Sequence, residues 1–65
     1  YYGGRGYSVG ADVQSVLARQ GFYHGAIDGV IGPQSREAIR AYQASRRLPV
    51  TGEIDRPLLR SMRLG

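Results

Sequence analysis

Gly21-Phe22-Tyr23-His24-Gly25-Ala26-Ile27-Asp28-Gly29-Val30-Ile31-Gly32, followed by Pro33, is the stretch on which the fold turns. A loop of this length, punctuated by glycine and carrying aromatic and branched apolar residues at set positions, is neither a linker nor a hairpin. It reads as a packed loop, with Phe22, Ile27 and Ile31 expected to point inward. The glycines supply backbone shapes that other residues resist. Pro33 then opens a helix, because its missing N–H costs nothing in the first turn.

Upstream of the loop, Ser8 is a plausible N-cap for a helix from Val9 to about Gln20. Val9, Val13, Val16, Leu17 and Gln20 recur at helical spacing, and Gly21 is placed to stop the helix as a left-handed C′ residue. Downstream, Gly32 caps a second helix from Pro33 to about Arg46. With Ser35 as origin, Ser35, Ala38, Ile39, Tyr42 and Arg46 fall within about 60° of one direction, the expected core stripe. Pro49 forces Leu48 out of helical geometry and ends that pattern.

Thr51-Gly52-Glu53-Ile54 then echoes Asp28-Gly29-Val30-Ile31: a polar residue, Gly, any residue, Ile, and a helix opened by Pro33 or Pro57. Asp55 is the expected N-cap of a last helix through Met62, with Leu58, Leu59 and Met62 on its buried side. No stretch carries a convincing strand signal, although Val50 and Ile54 could form a short extended pair. The sequence therefore describes an all-α, compact three-helix bundle with two similar loop-helix units and a long ordered loop between the first two helices.

Sixty-five residues make one small domain. A chain this short buries only about 60% of the surface its unfolded form exposes, so the core has little margin. Residues 1–7, rich in Gly and Tyr, read as the end of a flexible tether, and the domain proper as 8–65. A chain that begins at Tyr1 reads as a piece cut from a longer precursor, and the piece itself carries no apolar run long enough for a signal peptide or a membrane span. No Cys is present, which excludes disulfides and thiolate metal sites. The net charge is +4 and all nine basic residues are Arg. Guanidinium groups suit carboxylate or phosphate partners, although a GC-rich genome would enrich Arg equally well.

Several of these motifs, taken in order, resemble the peptidoglycan-binding-like module of bacterial wall enzymes. Val13-Gln14 stands for the apolar-Gln helix, and Gly21-Phe22-Tyr23 for Gly-aromatic-aromatic. Asp28-Gly29-Val30-Ile31-Gly32 and Ser35-x-x-Ala38-Ile39-x-x-Tyr42-Gln43 follow, then Leu48, Gly52 and a short final helix. The resemblance runs to about Met62. It implies a small three-helix domain, peptidoglycan as partner, an extracytoplasmic location in the periplasm or cell wall, and no cofactor. Three positions depart from the pattern: Ser35 replaces Thr, Leu58 stands where Thr is usual, and Arg47 stands where Gly commonly ends the second helix. Arg47 must then adopt a left-handed shape against its Cβ.

The candidate ligand-contacting residues are Tyr23, Asp28, Gly29, Arg36, Arg40 and Gln43. Asp28 can fasten its turn by accepting amides two or three positions on while Gly29 takes positive φ, or it can meet a ligand; fastening is the commoner use of Asp-Gly. Arg36, Arg40, Gln43 and Arg47 border the core stripe as a basic strip suited to wall carboxylates. The same strip could be a solvated face with Glu37 and Arg40 paired across one turn. The pattern leaves Tyr23 open and places Tyr42 in the core. Gln14 and Gln43 are better suited to bonding enclosed loop backbone than ligand.

Catalysis has no foothold. His24 is the only histidine, and with Asp28 it does not complete a metal site. Nothing resembles a nucleophile elbow, an oxyanion hole or a phosphate-binding glycine loop. The leading expectation is a non-catalytic module, monomeric in isolation, that anchors a parent protein to peptidoglycan through its stem-peptide or glycan-peptide region. Two alternatives are a basic three-helix nucleic-acid-binding domain and an intramolecular docking or inhibitory domain. The first is disfavoured because a helix-turn-helix joins its helices by three or four residues. No specific nucleic acid is expected.

Overall fold

Ser8, Gly32 and Asp55 each start a helix. The computed structural model describes residues 8–64 and contains α1 (Val9–Arg19), α2 (Pro33–Ser45) and α3 (Arg56–Met62). The Ser8 hydroxyl accepts from the Ala11 amide at 3.1 Å, and the Asp55 carboxylate accepts from the Leu58 amide at 3.1 Å. Each satisfies one of the amides that a first turn leaves without a partner. Gly32 caps α2 without a side chain, and Pro33 removes one amide from the account. The expectation for residues 1–7 lies outside the described residues.

All three helices end in the same way. Phe22, Leu48 and Leu64 donate their amides to the carbonyls of Leu17, Gln43 and Leu59, five residues back, at 2.8, 2.9 and 2.9 Å. The residue before each is left-handed: Gly21 (φ 85°), Arg47 (φ 58°) and Arg63 (φ 62°). These are Schellman closures, and each delivers an apolar residue back onto the core. Arg47 does take the left-handed shape expected of the residue standing in place of Gly.

The core is built from Val13, Val16 and Leu17 of α1, Tyr23, Ala38, Ile39 and Tyr42 around α2, and Leu58 and Met62 of α3. α1 packs against both α2 and α3. Phe22 meets Tyr42 edge to face, with centroids 5.7 Å apart at 84°. The Tyr42 hydroxyl shares a 2.9 Å hydrogen bond with Ser61 Oγ, which ties α2 to α3. Arg46, the last member of the expected stripe, stays exposed; its guanidinium lies 5.2 Å from the Tyr42 ring centroid and donates to Gln20 Oε1 at 2.8 Å.

Two apolar expectations are corrected, those for Ile27 and Val9. Ile27 is 46% exposed rather than turned inward, whereas Phe22 and Ile31 are partly buried against the core. Tyr23 fills the interior instead, 6% exposed, with its hydroxyl donating to the Ala26 carbonyl at 2.6 Å. Val9, although on helical spacing, lies at the start of α1 and is exposed. Among the described residues there is no strand, so Val50 and Ile54 do not pair in extended form.

Candidate ligand-binding surface

Gln14, fully buried on α1, organises the long loop. Its Oε1 accepts from the Asp28 amide at 3.1 Å and from the Gly29 amide at 2.8 Å. Its Nε2 donates to the Val30 carbonyl at 2.9 Å and to Ser35 Oγ at 3.0 Å, with Asp28 Oδ1 and the Tyr23 hydroxyl farther off at 3.3 and 3.4 Å. An amide nitrogen has two protons, so the two short contacts are the principal bonds. Asp28 completes the turn by accepting from the Val30 amide at 2.9 Å. That bond, reinforced by Gln14, holds the Asp28 carboxyl below its ordinary acidity range.

Gln43, fully buried on α2, repeats the arrangement on the second loop. Its Oε1 accepts from the Thr51 and Gly52 amides, both at 3.0 Å. Its Nε2 donates to Thr51 Oγ1 at 3.0 Å and, more weakly, to the Glu53 carbonyl at 3.5 Å. Thr51 Oγ1 accepts from the Glu53 amide at 3.2 Å, as Asp28 does from Val30. Gly29 and Gly52 occupy matching places with φ of 79° and 73°. The sequence echo is thus a structural one: each of the first two helices carries a glutamine that clasps the loop following it.

The six sequence candidates do not converge on one surface. Gln43 and Tyr23 face the interior, their polar atoms engaged with loop backbone. Asp28 is exposed and fastens its turn, and Gly29 packs its backbone against Ser8 and Gly10. Arg36 and Arg40 are exposed on α2 but lie over the second loop. Arg36 Nη1 reaches the Gly52 carbonyl at 3.5 Å, and Arg40 pairs with Glu37 at 2.8 Å. The Arg40 Nε would stand 2.9 Å from a Cβ added to Gly52. Such an exposed pair adds well under about 1 kcal/mol.

A groove of about 540 Å³, lined by Ile54, Asp55, Arg56, Leu59 and Arg60, escaped the sequence reading. Its signal was present: two arginines four residues apart on a short helix, with Leu59 beside them and Ile54 just upstream. The concavity needs the Asp55 cap and the docking of α3 on α1, which spacing does not encode. Among the described residues, no group of three His, Asp or Glu side chains could hold a metal, and no helix is long and apolar enough to cross a membrane.

Residues 11–62 match the family described as "Putative peptidoglycan binding domain", a span from the first turn of α1 to the last residue of α3. Among curated proteins, the chain is similar to "Putative OxPP cycle protein OpcA" of Nostoc punctiforme, 42% identical over 52 residues, or 80% of this chain and 11% of that protein. The OpcA protein of Synechococcus elongatus is 40% identical over the same length, covering 80% of this chain and 12% of its own. "Localization factor PodJL" of Caulobacter vibrioides is 50% identical over 42 residues, 65% of this chain and 4% of that protein. The chain therefore spans only a small part of these relatives. No solved structure matches it.

Proposed function

We propose, since this chain belongs to the peptidoglycan-binding domain family, that it anchors a parent protein to the bacterial wall through the stem-peptide or glycan-peptide region of peptidoglycan, without chemistry of its own. The observation that carries this reading is the extent of the family match, which takes in all three helices and both glutamine-clasped loops. The loop backbones next to the candidate surface are hydrogen-bonded to buried glutamines, which supports a preformed surface. Tethering of this kind raises the local concentration of a fused domain at the wall without any new catalytic contact. It places the module outside the cytoplasm, in the periplasm or cell wall, with Arg36, Arg40 and the Asp28-Gly29 turn available to wall carboxylates and amides.

Nothing favours nucleic acid beyond the charge, and residues 20–32 between α1 and α2 are far too long for a helix-turn-helix connection. Co-sedimentation of the 65-residue chain with purified sacculi tests the anchoring reading. Pelleting that survives physiological salt and is competed by stem peptides supports it, because a purely electrostatic attraction is screened there. A protein that stays in the supernatant even at low salt sinks it.

A further inference from the structure

We propose that the groove lined by Ile54, Asp55, Arg56, Leu59 and Arg60 receives a peptide carboxylate flanked by small aliphatic side chains. This inference rests on the wall-binding reading and selects, within peptidoglycan, the stem peptide over the sugars.

Charge complementarity identifies the occupant. Arg56 and Arg60 stand one turn apart on α3, both exposed, and neither guanidinium has a partner among the described residues. The arginines of α2 differ: Arg36 reaches the Gly52 carbonyl and Arg40 is paired with Glu37. Asp55, the one acid in the groove wall, is committed elsewhere. Its Oδ1 accepts from the Leu58 amide at 3.1 Å and its Oδ2 from the Thr51 hydroxyl at 3.1 Å. The groove thus presents two free planar cations, each able to take a carboxylate in a two-pronged hydrogen bond.

The floor selects the rest of the ligand. Ile54 and Leu59 are partly buried and packed on the core, which makes the floor firm and aliphatic. A volume of about 540 Å³ suits a few residues of peptide. Sugar faces are commonly met by aromatic rings, and none lines the groove. Tyr23 and Tyr42 are buried, and Phe22 is half-buried with its ring against Tyr42.

Methyl NMR of Ile54 and Leu59 tests the groove directly. The probes are an alanyl-glutamyl peptide with free carboxylates, the same peptide with both carboxylates amidated, and a peptide-free disaccharide of the wall glycan. The free acid should move both sets of methyl signals, and amidation should weaken binding about tenfold or more. Arg56→Gln with Arg60→Gln should weaken the free acid similarly while the spectrum stays that of a folded protein. Arg19→Gln, which removes an exposed arginine outside the groove lining, should leave it unchanged. Equal binding of the amide, methyl shifts from the disaccharide alone, or wild-type binding by the Arg56/Arg60 variant would overturn the proposal. If the chain pellets with sacculi while these methyls stay silent, the groove falls and wall anchoring stands. If the peptide binds but sacculi do not pellet the chain, anchoring falls and the groove stands.

Discussion

Gln14 of α1 and Gln43 of α2 perform one task twice. Each Oε1 accepts two consecutive loop amides, those of Asp28 and Gly29 in one case and of Thr51 and Gly52 in the other, at 2.8 to 3.1 Å. Both glutamine side chains are fully buried, so neither can exchange its loop partners for water without opening the fold. The clasp lets a bundle of three short helices carry long connections that stay ordered.

That relationship predicts amide protection in the loops. The Gly29 and Gly52 amides should exchange slowly with solvent although neither lies in a helix. Gln14→Leu leaves two donors and the Val30 carbonyl unsatisfied and should cost about 3 kcal/mol, a large part of the stability of a domain this small. Hydrogen exchange by NMR checks the first statement and denaturant unfolding the second. Fast exchange at Gly29 in the wild-type chain would show that the bonds to Gln14 do not persist in solution.

Gly10 should tolerate no side chain. A Cβ there would stand 2.7 Å from the Gly29 carbonyl oxygen, which is backbone and itself held by the loop clasp. Gly10→Ala is expected to destabilise by about 1–3 kcal/mol through overpacking. Gly32, by contrast, has nothing within 4 Å of the place a Cβ would take, and it caps α2 without a side-chain bond. Gly32→Ser should therefore stabilise by a few tenths of a kcal/mol, since Ser caps slightly better than Gly. Thermal melts of the two variants should move in opposite directions.

Arg47 holds φ 58° at the end of α2 where its Cβ is strained. Arg47→Gly should relieve that strain and raise stability by about 1 kcal/mol, partly offset by the greater freedom of Gly in the unfolded chain. Denaturant unfolding gives the sign. A loss of stability would mean that the arginine side chain contributes more at this turn than its backbone costs.

Asp28 predicts a specific acid response. Its folded-state pKa lies below the ordinary 3.8, first because of the Val30 amide and then because of Gln14. The stabilisation it provides is therefore complete above the ordinary value and is lost as pH falls through the lower folded value. Asp28→Asn should be less stable than wild type at neutral pH, and its melting temperature should fall less between about pH 5 and about pH 2. Parallel pH profiles for the two proteins would remove Asp28 from the acid transition.

Helix ends were the most legible part of this chain. Ser8, Pro33 and Asp55 act on amides two or three residues away, and the left-handed Gly21, Gly29 and Arg47 answer to backbone sterics alone, so local sequence carries their information. The bonding of Gln14 and Gln43 to enclosed loop backbone was also foreseeable, because buried amides need partners. Ile27 and Tyr23 were not legible in the same way. Once Gln14 grips residues 28–30, the loop's approach to α1 is set by polar contacts, and the interior place goes to the Tyr23 ring while Ile27 is left outside. The candidate site shows the same division: Arg36 and Arg40 were placed on an exposed face and the pairing of Arg40 with Glu37 across one turn was legible, but the reach of Arg36 to the Gly52 carbonyl required the fold.

Residue order alone settles where the helices begin and end, which face of α2 enters the core and which loop positions call for glycine, because each of these depends on contacts within a few residues. Three-dimensional packing is what requires Gly10 to be bare, sets two distant glutamines in mirrored roles, and brings Arg56 and Arg60 beside an aliphatic groove. Those features depend on segments far apart in the chain arriving at one place, and their arrival is set by the packing of α1 against both other helices.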